Sequence, residues 1–423
     1  MEPEMLSETN IPISKSEHRT GSRRCVLYLL PVAFFQRSDE PGFQVQTLNF
    51  RTAFGFVVPE LHKRDMEVTL VSLNNNARQI VYARDFIKST GLSWICRTFF
   101  FERKAGRGRL FPQFLQLLLN LRWLLRVMKG VRPDVVYGYN DVGTLYGVLL
   151  KLLFRFHLVY DMRGDRVNEM AVQGASSWRV RLYRLIRRLC LQKSDLVFTV
   201  SDECRDLPAG QKHLAKYNFY DAALFSFDEE ESRRTKDKLG LENRFVLVYS
   251  GTDKYYQMVP QMVEFFAGFR KVCPDAFFMI NLPVRSELFE AELQRWHLPE
   301  DSFRIFHLDQ SDLNRYQTVA DIALLMREDL PLNHEAFPTK FPEYLAGGVP
   351  VLVTPHVHTL AKMVHENGLG EVWEDEEPVE KLYGRILLYR NNREKKKHCA
   401  RFAREHLSWQ NRASWVTGIL DSL

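Results

Sequence analysis

A chain of 423 residues exceeds one comfortable hydrophobic core, and its 45% hydrophobic content suffices to bury two. The net charge of +6 is mild and its Lys and Arg are unevenly placed, which favours an anionic substrate or membrane surface over wholesale nucleic-acid binding. Cysteines at 25, 96, 190, 204, 273 and 399 form no CxxC and no close pair, which disfavours zinc and fits a reduced, cytoplasmic compartment.

Residues 1–24 are polar, MEPEMLSETN and then SKSEHRTGSRR, and are expected to form a disordered tail with no signal peptide. Apolar runs are broken by Arg or Lys before eighteen residues, so no transmembrane helix is expected. CVLYLLPVAFF (25–35) and EVTLVSL (67–73) read as buried strands with a helix around 46–63 between them. Residues 74–108 hold a candidate strand, WICRTFFF, and a basic tip, ERKAGRGR. FPQFLQLLLNLRWLLRVMKG (111–130) has apolar residues at helical spacing. A strand at 132–140, a helix at 142–154, the strand HLVYDMRG (157–164), an Arg-rich helix at 178–194 and the strand DLVFTVS (195–201) follow. DECRDL is expected to open another helix.

Composition shifts at 205–243, where a charged surface helix precedes a new first strand, RFVLVYSG (244–251). Helices at 257–272, 285–295 and 311–317 then alternate with strands at 276–281, 303–308 and 321–326. The basic run RNNREKKKH reads as a surface turn before one last helix, REHLSWQNRASWVTGILDSL. This rhythm predicts an α/β chain of two doubly wound, Rossmann-like units joined near 222–230.

Glu335 and Glu343 bracket the run EAFPTKFPE. Pro338 and Pro342 lie between them, so one helix cannot carry both acids. The first is expected on a loop and the second on a short helix that ends at Gly347 and Gly348 before the strand VPVLVT (349–354). That places both at the C-terminal edge of a parallel sheet, where such folds bind ligands.

HEAFPTKFPEYLAGGVPVLVT (334–354) resembles the acidic motif of the retaining glycosyltransferases of family 4, which adopt the GT-B fold. RPDVVYGYN, VYDMRGDR and SDLVFTVSDE match more loosely and in order, and VLVYSGTDKYYQMVPQMVEFF is similar to the family's strand, phosphate loop and helix. The resemblance implies an acceptor-binding domain at 25–222, a nucleotide-sugar-binding domain at 223–399, and a helix at 400–423 crossing back to the first. It implies transfer of a sugar, with retention, from a nucleotide sugar to a polysaccharide or lipid-linked glycan, with no cofactor and no metal. A sugar-nucleotide epimerase of the same fold and a catalytically silent binding or scaffolding subunit remain the alternatives.

A carboxylate suits a vicinal diol, which assigns Glu343 to the ribose. Amides at Thr339, Lys340 and Phe341, with the Lys340 charge, suit the pyrophosphate. The resemblance puts Glu335 at the sugar ring, positioning the donor rather than acting as a general base. Ser250, Gly251, Thr252 and Lys254 form a second expected phosphate site, with Lys254 neutralising the leaving group. Relatives carry an Arg as well; here Arg285 or Arg327 could supply it. Asp161, Arg163 and Gly164 end a strand facing the donor in an Asp-x-Arg-Gly pattern. Arg163 could bind phosphate, Asp161 could orient the acceptor hydroxyl, or the two could be a structural ion pair. Tyr139, Asn140 and Asp141 end another strand on that face and are expected to touch the acceptor. The first loop, with only Gly42, is a poor phosphate binder, and His356-Val-His358 lacks a third metal ligand. The Arg and aromatic faces of the helices at 111–130 and 178–194 suit either a solvated rim or peripheral contact with the cytoplasmic face of a membrane.

Overall fold

The computed structural model describes residues 23–31, 45–75, 87, 92–98, 110–374 and 377–423. Residues 1–22 of the expected tail, the first-loop segment with Gly42, and the tip ERKAGRGR lie outside them.

Among the described residues the first lobe is a parallel sheet of β1 (Cys25–Leu30), β2 (Glu67–Asn75), β3 (Ser93–Thr98), β4 (Val135–Tyr139), β5 (His157–Asp161), β6 (Leu196–Thr199) and β7 (His213–Ala215), in the order β3-β2-β1-β4-β5-β6-β7. The second holds β8 (Phe245–Ser250), β9 (Ala276–Asn281), β10 (Phe303–Phe306), β11 (Ile322–Leu325), β12 (Val351–Val353) and β13 (Gly370–Val372), in the order β10-β9-β8-β11-β12-β13. Each order reverses once, between β1 and β4 and between β8 and β11, and such reversals open the crevices where α/β sheets take ligands.

The strands read as unbroken apolar runs because both faces are covered. In β1, Val26, Tyr28 and Leu30 join one core cluster while Leu27 and Leu29 join the opposite one. β8 repeats the pattern, with Val246 and Val248 on one side and Phe245, Leu247 and Tyr249 on the other. The period-two alternation of a strand thus feeds two helical layers at once.

The lobes are joined by two neighbouring crossings. Tyr220 on the way out pairs with Ser408 on the way back, with Tyr220 N–H donating to the Leu407 carbonyl at 3.0 Å and Trp409 N–H to the Tyr220 carbonyl at 2.9 Å. The helix Trp409–Asp421 then buries Trp409, Ala413, Val416 and Leu420 against Phe54, Val57 and Leu61 of the first lobe.

Three expectations need correction. DECRDL opens no helix: Pro208 and Gly210 (φ 78°) interrupt the stretch, which runs irregularly into β7. RNNREKKKH is a turn only at Arg390 and Asn391: the Asn392 side chain accepts from Lys395 N–H and caps the helix Arg393–Leu407, which takes up the rest. The last helix is two, split at Ser408, whose backbone is extended and whose hydroxyl donates to the Arg404 carbonyl at 2.7 Å.

Candidate active site

The loop after β8 is built around a side chain from elsewhere. Ser250 is buried and spent on structure: its N–H donates to the Tyr344 hydroxyl at 2.7 Å, and its Oγ accepts from Gln317 Nε2 at 3.0 Å. Gly251 follows at φ 153°, a region only glycine enters easily, and a Cβ built there would land on Lys340 Nζ. The hollow left by the missing side chain is where the Lys340 ammonium lies, 3.2 Å from the Tyr249 hydroxyl, 3.3 Å from Gln257 Oε1 and 4.2 Å from the Tyr249 ring centroid. Among the described residues no carboxylate pairs with it.

Arg327, two residues beyond β11, is buried beside it. Thr354 pins its backbone through hydrogen bonds at 3.0 and 2.7 Å, and its guanidinium stands 4.9 Å over the Tyr256 ring. Its Nε and Nη1 are buried with no hydrogen-bond partner among the described residues. Burial lowers the pKa of both cations, and Arg327 pushes Lys340 down further. Glu343, on the helix Lys340–Ala346, is raised by burial to about 8 despite the pull of Lys340. A half-buried Lys340 and a buried Arg327 thus lie side by side with no ion pair among the described residues, an arrangement suited to receive a polyanion.

The other expected donor residues divide around this group. Lys254 is exposed, its Nζ 5.9 Å from the same Tyr256 ring that carries Arg327, so it lies at the rim. The Thr252 carbonyl accepts from the Tyr249 hydroxyl. Thr339 is half-buried at the cap of the helix and makes no side-chain cap bond. Phe341 is not brought to the hollow: its side chain is fully buried in the core and its N–H is committed to the Pro338 carbonyl at 3.1 Å. Arg285 is exposed and paired with Glu290 at 2.7 Å, which leaves Arg327 as the second cation of the hollow.

Glu335 parts company with Glu343. It follows the short helix Pro331–His334 and is buried in the seam between the lobes. Its Oε1 accepts from Arg205 N–H at 2.7 Å, its Oε2 from Arg187 Nη2 at 3.3 Å, and its carbonyl from Ser201 Oγ at 2.9 Å. Burial raises its pKa, and the Arg205 amide and Arg187 pull it back only in part.

In the first lobe Asp161 and Arg163 line a cavity of about 30 Å³ with Tyr28, Tyr137, Tyr139, Lys216 and Trp409, room for one water. Asp161 accepts from Lys216 Nζ at 2.7 Å and from the Tyr137 hydroxyl at 2.8 Å, while Arg163 Nη1 stands 3.8 Å away. Burial pushes the Asp161 carboxyl up, but Lys216 and Arg163 outweigh it and hold it below the usual range. Lys216 is lowered by burial to about 8, with Asp161 opposing. Arg163 Nη2 donates to Asn218 Oδ1 at 2.7 Å and its guanidinium lies 5.7 Å from the Tyr139 ring. Asn140, at φ 56°, spends its side-chain oxygen on Val142 N–H at 3.0 Å, and Asp141 accepts from the Tyr160 hydroxyl at 2.6 Å. Of the three readings open for Asp161 and Arg163, these contacts describe a buried ionic network. His358 Nδ1 lies 2.7 Å from Glu203 Oε2, and among the described residues no group of three or more His, Cys, Asp or Glu could hold a metal ion.

Lys216 escaped the sequence reading, and Arg187, expected with the other arginines of its helix on a solvated or membrane-facing rim, is buried instead; each left a trace. Arg187 shares the buried stripe of its helix with Val180, Cys190 and Leu191, where an arginine needs partners. Lys216 stands among aromatic residues in AKYNFY.

Alanine at Gly251 would be strained and would expel Lys340 from its hollow. Nucleoside diphosphate affinity should fall at least about ten-fold in calorimetry, with the fold intact by circular dichroism.

Two family models match the chain in succession: the glycosyl transferase 4-like domain over residues 52–211 and glycosyl transferases group 1 over residues 231–406. No curated protein sequence matches it. Among solved structures, sucrose-phosphate synthase from Thermosynechococcus elongatus superposes with a TM-score of 0.66 at 14% identity, over 95% of this chain and 99% of that one. Anabaena HepE in complex with UDP gives 0.65 at 13%, over 95% and 100%. A UDP-N-acetylglucosamine 2-epimerase gives 0.56 at 15%, over 94% and 95%. With both lobes matched in order and two reversed parallel sheets set across a seam, the chain belongs to the GT-B glycosyltransferases and is a transferase.

Proposed function

We propose that the chain transfers a sugar from a nucleoside diphosphate sugar, held on the second lobe, to a hydroxyl of a glycan acceptor approaching from the first. The observation that carries this reading is the half-buried Lys340 ammonium lodged against Gly251 beside the buried Arg327, with no ion pair to either among the described residues. As the glycosidic bond breaks, charge accumulates on the leaving diphosphate, and cations fixed beside it stabilise it best at that moment. Lys254 at the rim would meet the outer oxygens. Glu343 would take the ribose diol and Glu335 a hydroxyl of the sugar. HepE was solved with UDP and with UDP-glucose, which supports a nucleotide sugar as donor. Retention is inferred from the family 4 resemblance.

The acceptor would be a polysaccharide or lipid-linked glycan handled at the cytoplasmic face of a membrane. Exposed Trp178, Leu182 and Leu185, at helical spacing and interleaved with Arg181, Arg184 and Arg188, support contact with an anionic bilayer surface. Among the described residues no helix is long and apolar enough to cross a membrane.

The test is incubation with a panel of nucleotide sugars, with and without glycan acceptors, followed by product analysis. Sugar appearing on an acceptor supports the reading. A 2-epimerised donor formed without acceptor would favour the epimerase instead, and donor binding without turnover a silent subunit.

Proton linkage offers a second test. The Lys340 pKa is depressed in the free protein, and a bound diphosphate raises it again. At any pH between the depressed value and the ordinary lysine value of 10.5, binding should therefore take up protons and weaken as pH rises. Calorimetry in buffers of different ionisation enthalpy reads the direction of the proton exchange; release or no exchange would contradict the expectation.

A further inference from the structure

Among the described residues, Arg187 is the most deeply buried arginine that the proposed chemistry leaves unused. Its side chain is 2% exposed, yet it meets three carboxylates: Asp165 Oδ1 at 2.6 Å, Asp206 Oδ2 at 3.2 Å and Glu335 Oε2 at 3.3 Å. Asp165 is itself fixed, since it caps the helix Arg166–Val172 by accepting from Asn168 N–H at 3.1 Å. Two of the partners belong to the lobe of Arg187, and only Glu335 comes from the other.

The acid shows the converse. Glu335 rides on the second lobe, but Arg187 Nη2 and the Arg205 N–H orient its carboxylate, and Ser201 Oγ holds its carbonyl. All three donors belong to the first lobe. Parting the lobes would strip the carboxylate of both donors at one stroke, while Arg187 would keep Asp165 and Asp206. Each oxygen retains a second lone pair with the clasp closed, so a sugar hydroxyl can still be received.

We propose that Arg187 is a positioning residue that couples lobe closure to the presentation of Glu335, so that the acid reaches its working geometry only when the seam is shut. The catalytic half of this statement rests on the donor reading given above; the clasp itself does not.

The experiment compares Arg187→Gln, Arg187→Lys, Glu335→Gln and the Arg187→Gln/Glu335→Gln double variant in the full chain. With a donor found active, Arg187→Gln should lower kcat about 100-fold, with UDP affinity within about three-fold of wild type, because the diphosphate hollow is untouched. Arg187→Lys should recover part of kcat, and the double variant should be no slower than Glu335→Gln alone. Multiplying losses in the double variant, or full kcat in a folded Arg187→Gln protein, would overturn the positioning role. Small-angle scattering of the unliganded proteins reads the clasp without turnover. A larger radius of gyration for Glu335→Gln, which removes the charge from the second lobe without emptying the first, supports it even if no sugar donor is ever found. Radii equal to wild type in both Arg187→Gln and Glu335→Gln refute it.

Discussion

Replacing Lys340 with alanine should lower kcat/KM for a nucleotide-sugar donor by about a thousand-fold, the loss typical of removing one preorganised charge from a transition state. The ammonium sits in a hollow that exists because residue 251 is glycine, against the aromatic face of Tyr249 and next to Arg327. Arginine should not rescue it, since a longer, forked head cannot enter the same space. The variant should nonetheless be no less stable than wild type. A desolvated cation without a counter-charge costs folding energy, and its removal relieves that cost. Steady-state kinetics with a thermal melt separates the two effects; a large fall in melting temperature would mean that Lys340 is a structural residue.

The second large effect concerns stability. Asp161→Asn should destabilise the first lobe by roughly 3 kcal/mol, because it leaves Lys216 buried without its charge partner. Asp161→Asn/Lys216→Met should regain much of that, since an apolar isostere replaces a buried pair at little cost. The pH dependence has a definite sign. Lys216 already folds with a pKa lowered to about 8, and loss of Asp161 drives it lower. The folded variant then binds fewer protons than the unfolded chain, so its stability should rise with pH up to the ordinary lysine value of 10.5. Denaturant titrations at several pH values follow both results.

Much of this architecture was legible because local rules agree. Apolar runs such as FVLVYS and CVLYLL have no place but a sheet covered on both faces, and Pro338, Pro342 and the Gly347-Gly348 pair punctuate the acid loop unambiguously. Some failures were local signals passed over, Pro208, Gly210 and the Asn392 cap; the others come from partners distant in sequence. Residues 202–212 cannot become a helix while Arg205 and Ser201 serve Glu335, more than 120 positions on: the separations are 130 and 134 residues. The break at Ser408 is set by its pairing with Tyr220. Phe341 sat at the expected helix start, but which face of that turn meets the core was not written in EAFPTKFPE. For Lys216, Arg187 and Arg327, only the fold brings their partners, or their lack of partners, into view.

The affinity of nucleoside diphosphates for the wild-type chain and for Lys340→Ala, measured by titration calorimetry, tests the anion hollow most directly. The expected result is saturable binding of at least one nucleoside diphosphate, exceeding that of the bare nucleoside about 100-fold, with most of that advantage gone in the variant. Equal affinity in both proteins, or no binding of any nucleoside diphosphate to a folded wild-type chain, would contradict it.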